Sequence, residues 1–549
     1  MKKTTTTITA KQIAIAVAAV CASLSMPAVA NENKAMLDLM LKKGVITQKD
    51  YDQFMEANKD ADENKAFKDS RIDQDVSKSI KFIQKRDKDG AVSEAGNTLT
   101  SNNGQNTFNL TGRLHFDTRM IDNSLAQTAD RDTASIGDNF EVRRARIGIN
   151  GKLFNDINYE LVTNAVGSSP NLIDTAWLNY GFNKDAQVRL GRFKQPFSLE
   201  ELTSSNNIDF MERSYNNQLV PGKRLGAMLH GEPVKGINYG VSVFQDGFNE
   251  ITNEQALGSN QAARFAVNFA ELNTVPDMVL HVGLGATGGR SQTMPVLSGN
   301  TQKATSNSET RATFMAFRTE SRGLANAWRA QISGDSLPSS ASFGDTSNNA
   351  ATISKMQGAL ELAIAKGPYK FQTEYMRSKY DATHPSVDYS GGSETGTALG
   401  TASLTAKADT VYYEVMYNVT GESWSDYYRS GVFGGLKPKN NFGSGGGTGA
   451  WQVGFRWSEY DASGSQNEGC GSSNNRCGLG GTNRMRYQNS AKANTWTLAL
   501  NWYLNPNARV MLNYAQTSFG TAVEALDTVG DNTTTLSERV ISLRSQINF

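Results

Sequence analysis

Arg539-Val540-Ile541-Ser542-Leu543-Arg544-Ser545-Gln546-Ile547-Asn548-Phe549 ends the chain. Counting back from the last residue, Phe549, Ile547, Leu543 and Ile541 share one parity, broken only by Ser545. Asn548, Gln546, Arg544 and Ser542 share the other. A repeat of two marks a β-strand with one apolar and one polar face. A half-buried strand of a soluble sandwich has the same alternation. A final strand that closes on an aromatic side chain also fits the last strand of an outer-membrane barrel, with its apolar parity toward lipid and its polar parity toward a watery lumen. Repetition along the chain separates the two readings.

The alternation recurs from about Thr107 onward. Leu110, Gly112, Leu114 and Phe116 alternate with Thr111, Arg113, His115 and Asp117. Ala145, Ile147 and Ile149 alternate with Arg144, Arg146, Gly148 and Asn150, and Leu360, Leu362 and Ile364 with Glu361 and Ala363. Val411, Tyr413, Val415 and Tyr417 alternate with Tyr412, Glu414, Met416 and Asn418, and Trp451, Val453, Phe455 and Trp457 with Gln452, Gly454, Arg456 and Ser458. Aromatics at strand ends (Trp496, Trp502, Tyr514, Phe549) fit the belts of a membrane barrel at headgroup level. Short turns such as Phe154-Asn155-Asp156, Gly181-Phe182-Asn183, Lys366-Gly367-Pro368 and Asn505-Pro506-Asn507 alternate with long Gly/Ser/Asn/Thr-rich segments near 291–310, 334–350, 384–408, 461–490 and 520–536. A soluble sandwich has no reason to sort its loops by length, whereas a barrel has short turns on one side of the membrane and long loops on the other. The fold expected is therefore all-β, a transmembrane antiparallel β-barrel over 106–549. Roughly 25–32 residues per strand with its share of loop gives about 14 to 18 strands.

Composition agrees. Hydrophobic content is 38% and mean hydropathy −0.47, which excludes a bundle of membrane helices. Residues 1–30 have the form of a cleaved secretory signal peptide: Lys2, Lys3 and Lys11, an apolar stretch from Ile13 to Leu24, and Ala28-Val29-Ala30 as the cleavage site. Export of this kind together with a transmembrane barrel predicts a Gram-negative outer-membrane location. Without that signal the chain carries 52 bases against 54 acids, a net charge of −2. Bulk charge therefore names no partner and gives no basis for nucleic-acid binding; any preference for anions must come from where the bases sit. Cys470 and Cys477, six residues apart in a Gly/Ser/Asn-rich stretch, are expected to form a disulfide across an exposed loop. No His lies near them, so no metal site is expected.

Residues 31–95 differ from the rest. Leu37, Met40 and Leu41 have helical spacing, Gly44 suits a helix end, and Thr47 with Asp50 resembles a capping box opening a second helix. Phe67, Ile72, Val76, Ile80 and Ile83 are spaced sparsely through the charged stretch Lys59 to Asp89, near coiled-coil spacing. Two readings stay open: a periplasmic helical appendage on a tether, or a solvated linker with two weak helices.

Four motifs carry a family resemblance. Arg143-Arg144-Ala145-Arg146-Ile147-Gly148, then Leu190-Gly191-Arg192-Phe193-Lys194-Gln195-Pro196-Phe197-Ser198-Leu199-Glu200, then Phe210-Met211-Glu212-Arg213-Ser214 and Pro221-Gly222-Lys223-Arg224-Leu225-Gly226 resemble the phosphate-selective porins O and P. Lys42-Lys43-Gly44-Val45-Ile46-Thr47 is similar to the leader segment of the same family. The resemblance implies sixteen strands, a homotrimer, and inward-folded loops around an anion-selective constriction passing phosphate, polyphosphate or other small anions. It implies outer-membrane lipid and lipopolysaccharide as surroundings, and the barrel-assembly machinery as the reader of the strand ending at Phe549. General or differently selective passage, or a mainly structural barrel, are the alternatives.

Anion passage needs fixed positive charge inside a narrow bore. Parity nominates Arg113, Arg144, Arg146, Lys152, Arg189, Arg456, Arg509 and Arg544 as lumen-facing, with Arg144 and Arg146 the foremost pair. Lys194, Arg213, Lys223 and Arg224 fall in or beside the segment that the resemblance makes a constriction loop. Asp117, Glu160, Asp174, Glu361, Glu374 and Glu414 share the lumen face, either steadying the arginines or weakening anion preference. Catalysis is not expected. His115, His230, His281 and His384 are scattered outside any nucleophile, zinc or phosphate-loop motif, and no cofactor is called for.

Overall fold

The structure, a computed structural model, describes residues 105–549 except 123–137, 167–171, 246–258, 294–309, 325, 335–350, 391–392, 444, 469–475, 478–484 and 525–533. It also describes 41–42, 47–49, 51–52, 80–82, 85–86, 92–94 and 98–101. The signal peptide and Cys470 lie outside the described residues.

Sixteen strands join into one closed antiparallel barrel. They are β1 (Thr107–Asp122), β2 (Asn139–Leu153), β3 (Ile157–Asn164), β4 (Ile173–Gly181), β5 (Gln187–Lys194), β6 (Lys223–Val234), β7 (Ile237–Gln245), β8 (Ser259–Asn268), β9 (Met278–Thr293), β10 (Ala351–Lys366), β11 (Tyr369–Ser390), β12 (Ser393–Asn418), β13 (Ala450–Asp461), β14 (Lys492–Asn505), β15 (Ala508–Glu524) and β16 (Thr534–Asn548). β16 pairs with β1 from Arg539↔Asp122 to Asn548↔Arg113, which closes the cylinder. Phe549 and Gly112 exchange backbone hydrogen bonds of 2.8 and 3.1 Å at the seam. No edge is left, so strand N–H and C=O groups are satisfied within the sheet, as hydrocarbon requires.

The alternation sorts as expected. On β16, Ile541, Leu543 and Ile547 are exposed on the outside, while Arg544 and Gln546 are buried in the lumen. On the outer surface, Tyr413 stacks on Trp457 and, nearer the short-turn end, Trp451 stacks on Trp502. Trp451 and Trp457 stand six residues apart on one strand, about 20 Å along it, the scale of a barrel's apolar band.

The lumen is partly filled. Residues 195–222, between β5 and β6, fold inward from the long-loop end. So do parts of the hairpin made by the strands Thr310–Phe317 and Trp328–Gly334. Phe197 and Tyr215 pack with Phe317, Leu324 and Trp328 against Tyr380, Ala382, Ala406, Ala408, Tyr460 and Ala493 of the wall. Phe317 stacks on Tyr460 with ring centres 4.2 Å apart. Alanine at so many inward positions leaves the loops room to enter.

One expectation is corrected. The short-turn end is not uniformly short: between β12 and β13 the chain runs from 419 to 449. Part of that run enters the lumen because Trp424, Tyr428 and Phe433 bury themselves against Leu199 and Phe210 of the inward loop. The segment before the barrel is described only in short pieces, too few to decide between the two readings of 31–95. Residues 41–42, 48–49 and 51–52 are helical, with the Tyr51 N–H donating to Thr47 O at 3.0 Å. Ile80–Phe82 is a short strand, and Lys85–Arg86 pairs with Val92–Glu94 as a small hairpin, favoured by its β-branched Val92.

Gly191, on β5, holds φ +125°, and a Cβ there would lie 2.2 Å from Ala176 O. Gly191→Ala should therefore cost at least about 3 kcal/mol. The expected result is a lower unfolding temperature of the detergent-refolded barrel and less of the heat-modifiable folded band on gels.

Candidate functional site

The inward loop is held by side chains of the wall reading its backbone. Its one helical turn, α1 (Leu199–Leu202), is capped by Ser198 Oγ, which accepts the Glu201 N–H at 3.2 Å. Glu374 of β11 accepts the N–H groups of Leu199 (3.1 Å) and Glu200 (2.7 Å). At the other end of the turn Lys194 donates to the carbonyls of Glu201 and Thr203, and Arg213 to those of Glu200 and Thr203. Further along, Gln546 donates to Asn206 O, Arg509 to Ile208 O, Asn501 to Asp209 O and Arg544 to Met211 O, at 2.6–3.0 Å. Arg456 donates to Glu212 O at 3.0 Å and to Glu320 at 2.9 Å.

Glu212 is the loop's main anchor. It meets Arg143 at 2.8 Å, Arg119 at 3.2 Å and Arg544 at 3.3 Å. Arg544 also forks onto Asp117 at 2.6 and 2.7 Å. Burial alone would raise the Glu212 carboxyl, but Arg143, then Arg544 and Arg144, hold it well below the ordinary range. Glu200 and Glu320 are raised, because burial outweighs the pull of Arg456.

Beside the loop lies a chamber of about 1060 Å³ lined by Arg113, Arg144, Arg146, Arg189, Lys194, Arg213, Lys223 and Arg224. Eight of the twelve nominated side chains thus meet in one place. Arg456, Arg509 and Arg544 do not line it; the loop backbone occupies them. Lys152 stands exposed beside the 154–156 turn. Within the chamber Asp174 pairs with Arg146 at 2.8 Å and with Lys223. Arg113 donates to Ser205 Oγ at 2.8 Å, and Arg144 lies 3.3 Å from His115 Nδ1. Among the described residues no carboxylate lies within salt-bridge distance of Arg113, Arg144 or Arg189. These three guanidinium groups are therefore without an ion pair among the described residues, with Glu160, Asp174 and Glu212 acting on them only from farther off.

Parity missed Arg143. His115 faces Arg144 and Phe116 faces Val142, so Arg143 is an extra residue, a β-bulge that turns both arginines inward. Arg264 also lines the chamber and is bound to Glu361 at 2.7 Å; the alternation Asn260, Ala262, Arg264, Ala266 would have found it. A second cavity of about 340 Å³, lined by Arg143, Arg144, Arg213 and Arg318, adjoins the loop hairpin. No grouping of three or more His, Cys, Asp or Glu able to hold a metal occurs among the described residues.

A family model described as phosphate-selective porin O and P matches residues 108–549. Porin O of Pseudomonas aeruginosa is 24% identical over 425 residues, covering 75% of this chain and 82% of that protein. Among solved structures, an anion-selective porin from Comamonas acidovorans is 11% identical with a TM-score of 0.40, covering 81% of this chain and 100% of that one. The outer membrane channel DcaP of Acinetobacter baumannii is 11% identical with a TM-score of 0.42, covering 82% and 99%.

A carboxyl with a depressed folded pKa contributes stability above its unfolded pKa of about 4.5 and loses it only as pH falls through the lower folded value. The Glu212 anchor should therefore hold from pH 7 to about pH 4.5, so the excess channel noise of Glu212→Gln over the unaltered protein should persist across that range. Glu212→Gln leaves Arg143, Arg119 and Arg544 short of a partner, a loss of roughly 3–5 kcal/mol. The variant should flicker in single-channel records at pH 7 and unfold at lower temperature.

Proposed function

Because this chain belongs to the phosphate-selective porin O and P family, we propose that small anions, phosphate and polyphosphate among them, diffuse passively through its chamber. The chain is an outer-membrane β-barrel porin, a channel and not an enzyme. The observation that carries the anion reading is the trio Arg113, Arg144 and Arg189, without an ion pair among the described residues, beside a loop that narrows the bore. Fixed guanidinium charge in a confined aqueous path concentrates anions and excludes cations, and its forked donors suit oxyanions. Asp174 and the wall acids favour a pore that releases its solute, since Asp174 offsets Arg146 and Lys223.

The same reading includes cleavage after Ala30, a periplasmic segment over 31–95, a homotrimer surrounded by lipid and lipopolysaccharide, and delivery by the barrel-assembly machinery through the strand ending at Phe549. Cys470 and Cys477 joined in an exposed loop complete it. Sequence features already given support the cleavage, the periplasmic segment and the disulfide, and the family resemblance supports the trimer, the lipid surroundings and the assembly machinery.

Arg113→Glu combined with Arg144→Glu should lower the anion-over-cation permeability ratio about tenfold, since two reversed charges in a narrow bore shift the balance by at least about 1.4 kcal/mol. Lys152→Glu, at the turn, should change it less than about twofold, because charge exposed to solvent is screened. Reversal potentials in KCl gradients across planar bilayers measure both. An unchanged ratio in the double variant would overturn the assignment.

A further inference from the structure

Toward the short-turn end of the chamber, Arg189 differs from the other cations. Its guanidinium carbon lies 4.2 Å from the centre of the Trp177 ring and 5.9 Å from that of Phe193. Its Nε donates to Asn179 Oδ1 at 3.3 Å, and its two terminal nitrogens meet no protein acceptor among the described residues. The platform beneath it is fixed. The Trp177 indole N–H donates to Glu160 Oε2 at 2.8 Å, and Asn179 is held by Gln187 at 2.8 Å and His230 at 2.6 Å. Gly191, opposite Trp177 in the sheet, has no side chain to compete for the space, and Met228 stands opposite Arg189.

An inorganic oxyanion would gain charge from Arg189 and nothing from an indole and a thioether. Stacking on the indole satisfies the face of the guanidinium and leaves its N–H edge free, a pre-set fork for a planar carboxylate. Trp177 and Met228 beside that fork offer apolar surface to whatever the carboxylate is attached to. We propose that Arg189 and Trp177 form a subsite for organic carboxylates, the head group on Arg189 and the apolar body along Trp177 and Met228. This rests on the anion-pore reading above and names a solute class within it.

Benzoate and acetate share a head group and differ in body, so their comparison isolates the indole. In planar bilayers carrying the refolded oligomer, benzoate should halve the chloride current at a concentration about tenfold lower than acetate. Trp177→Leu should bring the two concentrations within about twofold of each other, Trp177→Phe should keep most of the preference, and Arg189→Gln should weaken both anions together. Equal half-blocking concentrations in the unaltered protein, or a preference that survives Trp177→Leu, would overturn the subsite. If Trp177→Leu does not refold, a benzoate block undiminished in Arg189→Gln overturns it instead. The KCl reversal potential of the same membranes reads the parent proposal separately: anion selectivity without a benzoate preference removes only the subsite, and no anion selectivity removes the pore reading itself.

Discussion

A strand facing hydrocarbon can send its N–H and C=O groups only to another strand, and this chain meets that demand by joining its last strand to its first. The Phe549–Gly112 seam is the condition for everything inside. Once the wall is complete, its inward parity lines an enclosed space whose polarity the protein can set one residue at a time.

That space is shaped less by the number of strands than by what is folded into it. Alanines on β10 to β14 admit three inward segments, 195–222, the 310–334 hairpin and part of 419–449, which pack apolar clusters against one side of the wall. The remaining side keeps a row of arginines in contact with water. Arginine serves two purposes here. Arg456, Arg509 and Arg544 hold the backbone carbonyls of the inward loop, while Arg113, Arg144 and Arg189 have no ion-pair partner among the described residues. The electrostatic character of the chamber comes from this division of labour and not from net charge.

The wall was legible because its rule is local: each residue's parity decides its face, as Ile541 and Arg544 illustrate. The sixteen-strand count came from the family resemblance, since spacing alone left a range. Which lumen-facing arginine would be free was not legible, because that depends on a loop hundreds of residues away reaching Arg544 or Arg509. Arg143 escaped because one bulge resets the alternation that nominated its neighbour. The 419–449 insertion escaped because its aromatic residues find partners in Leu199 and Phe210, a pairing no periodicity encodes.

That last pairing has a mechanical meaning. The bottleneck is gripped from opposite mouths of the bore, by the wall around Glu212 toward one opening and by Trp424 and Phe433 toward the other. Both grips belong to parts of the barrel other than the remaining long loops, to strand arginines in one case and to the 419–449 segment in the other, so cutting those other loops would leave the aperture at its gauge.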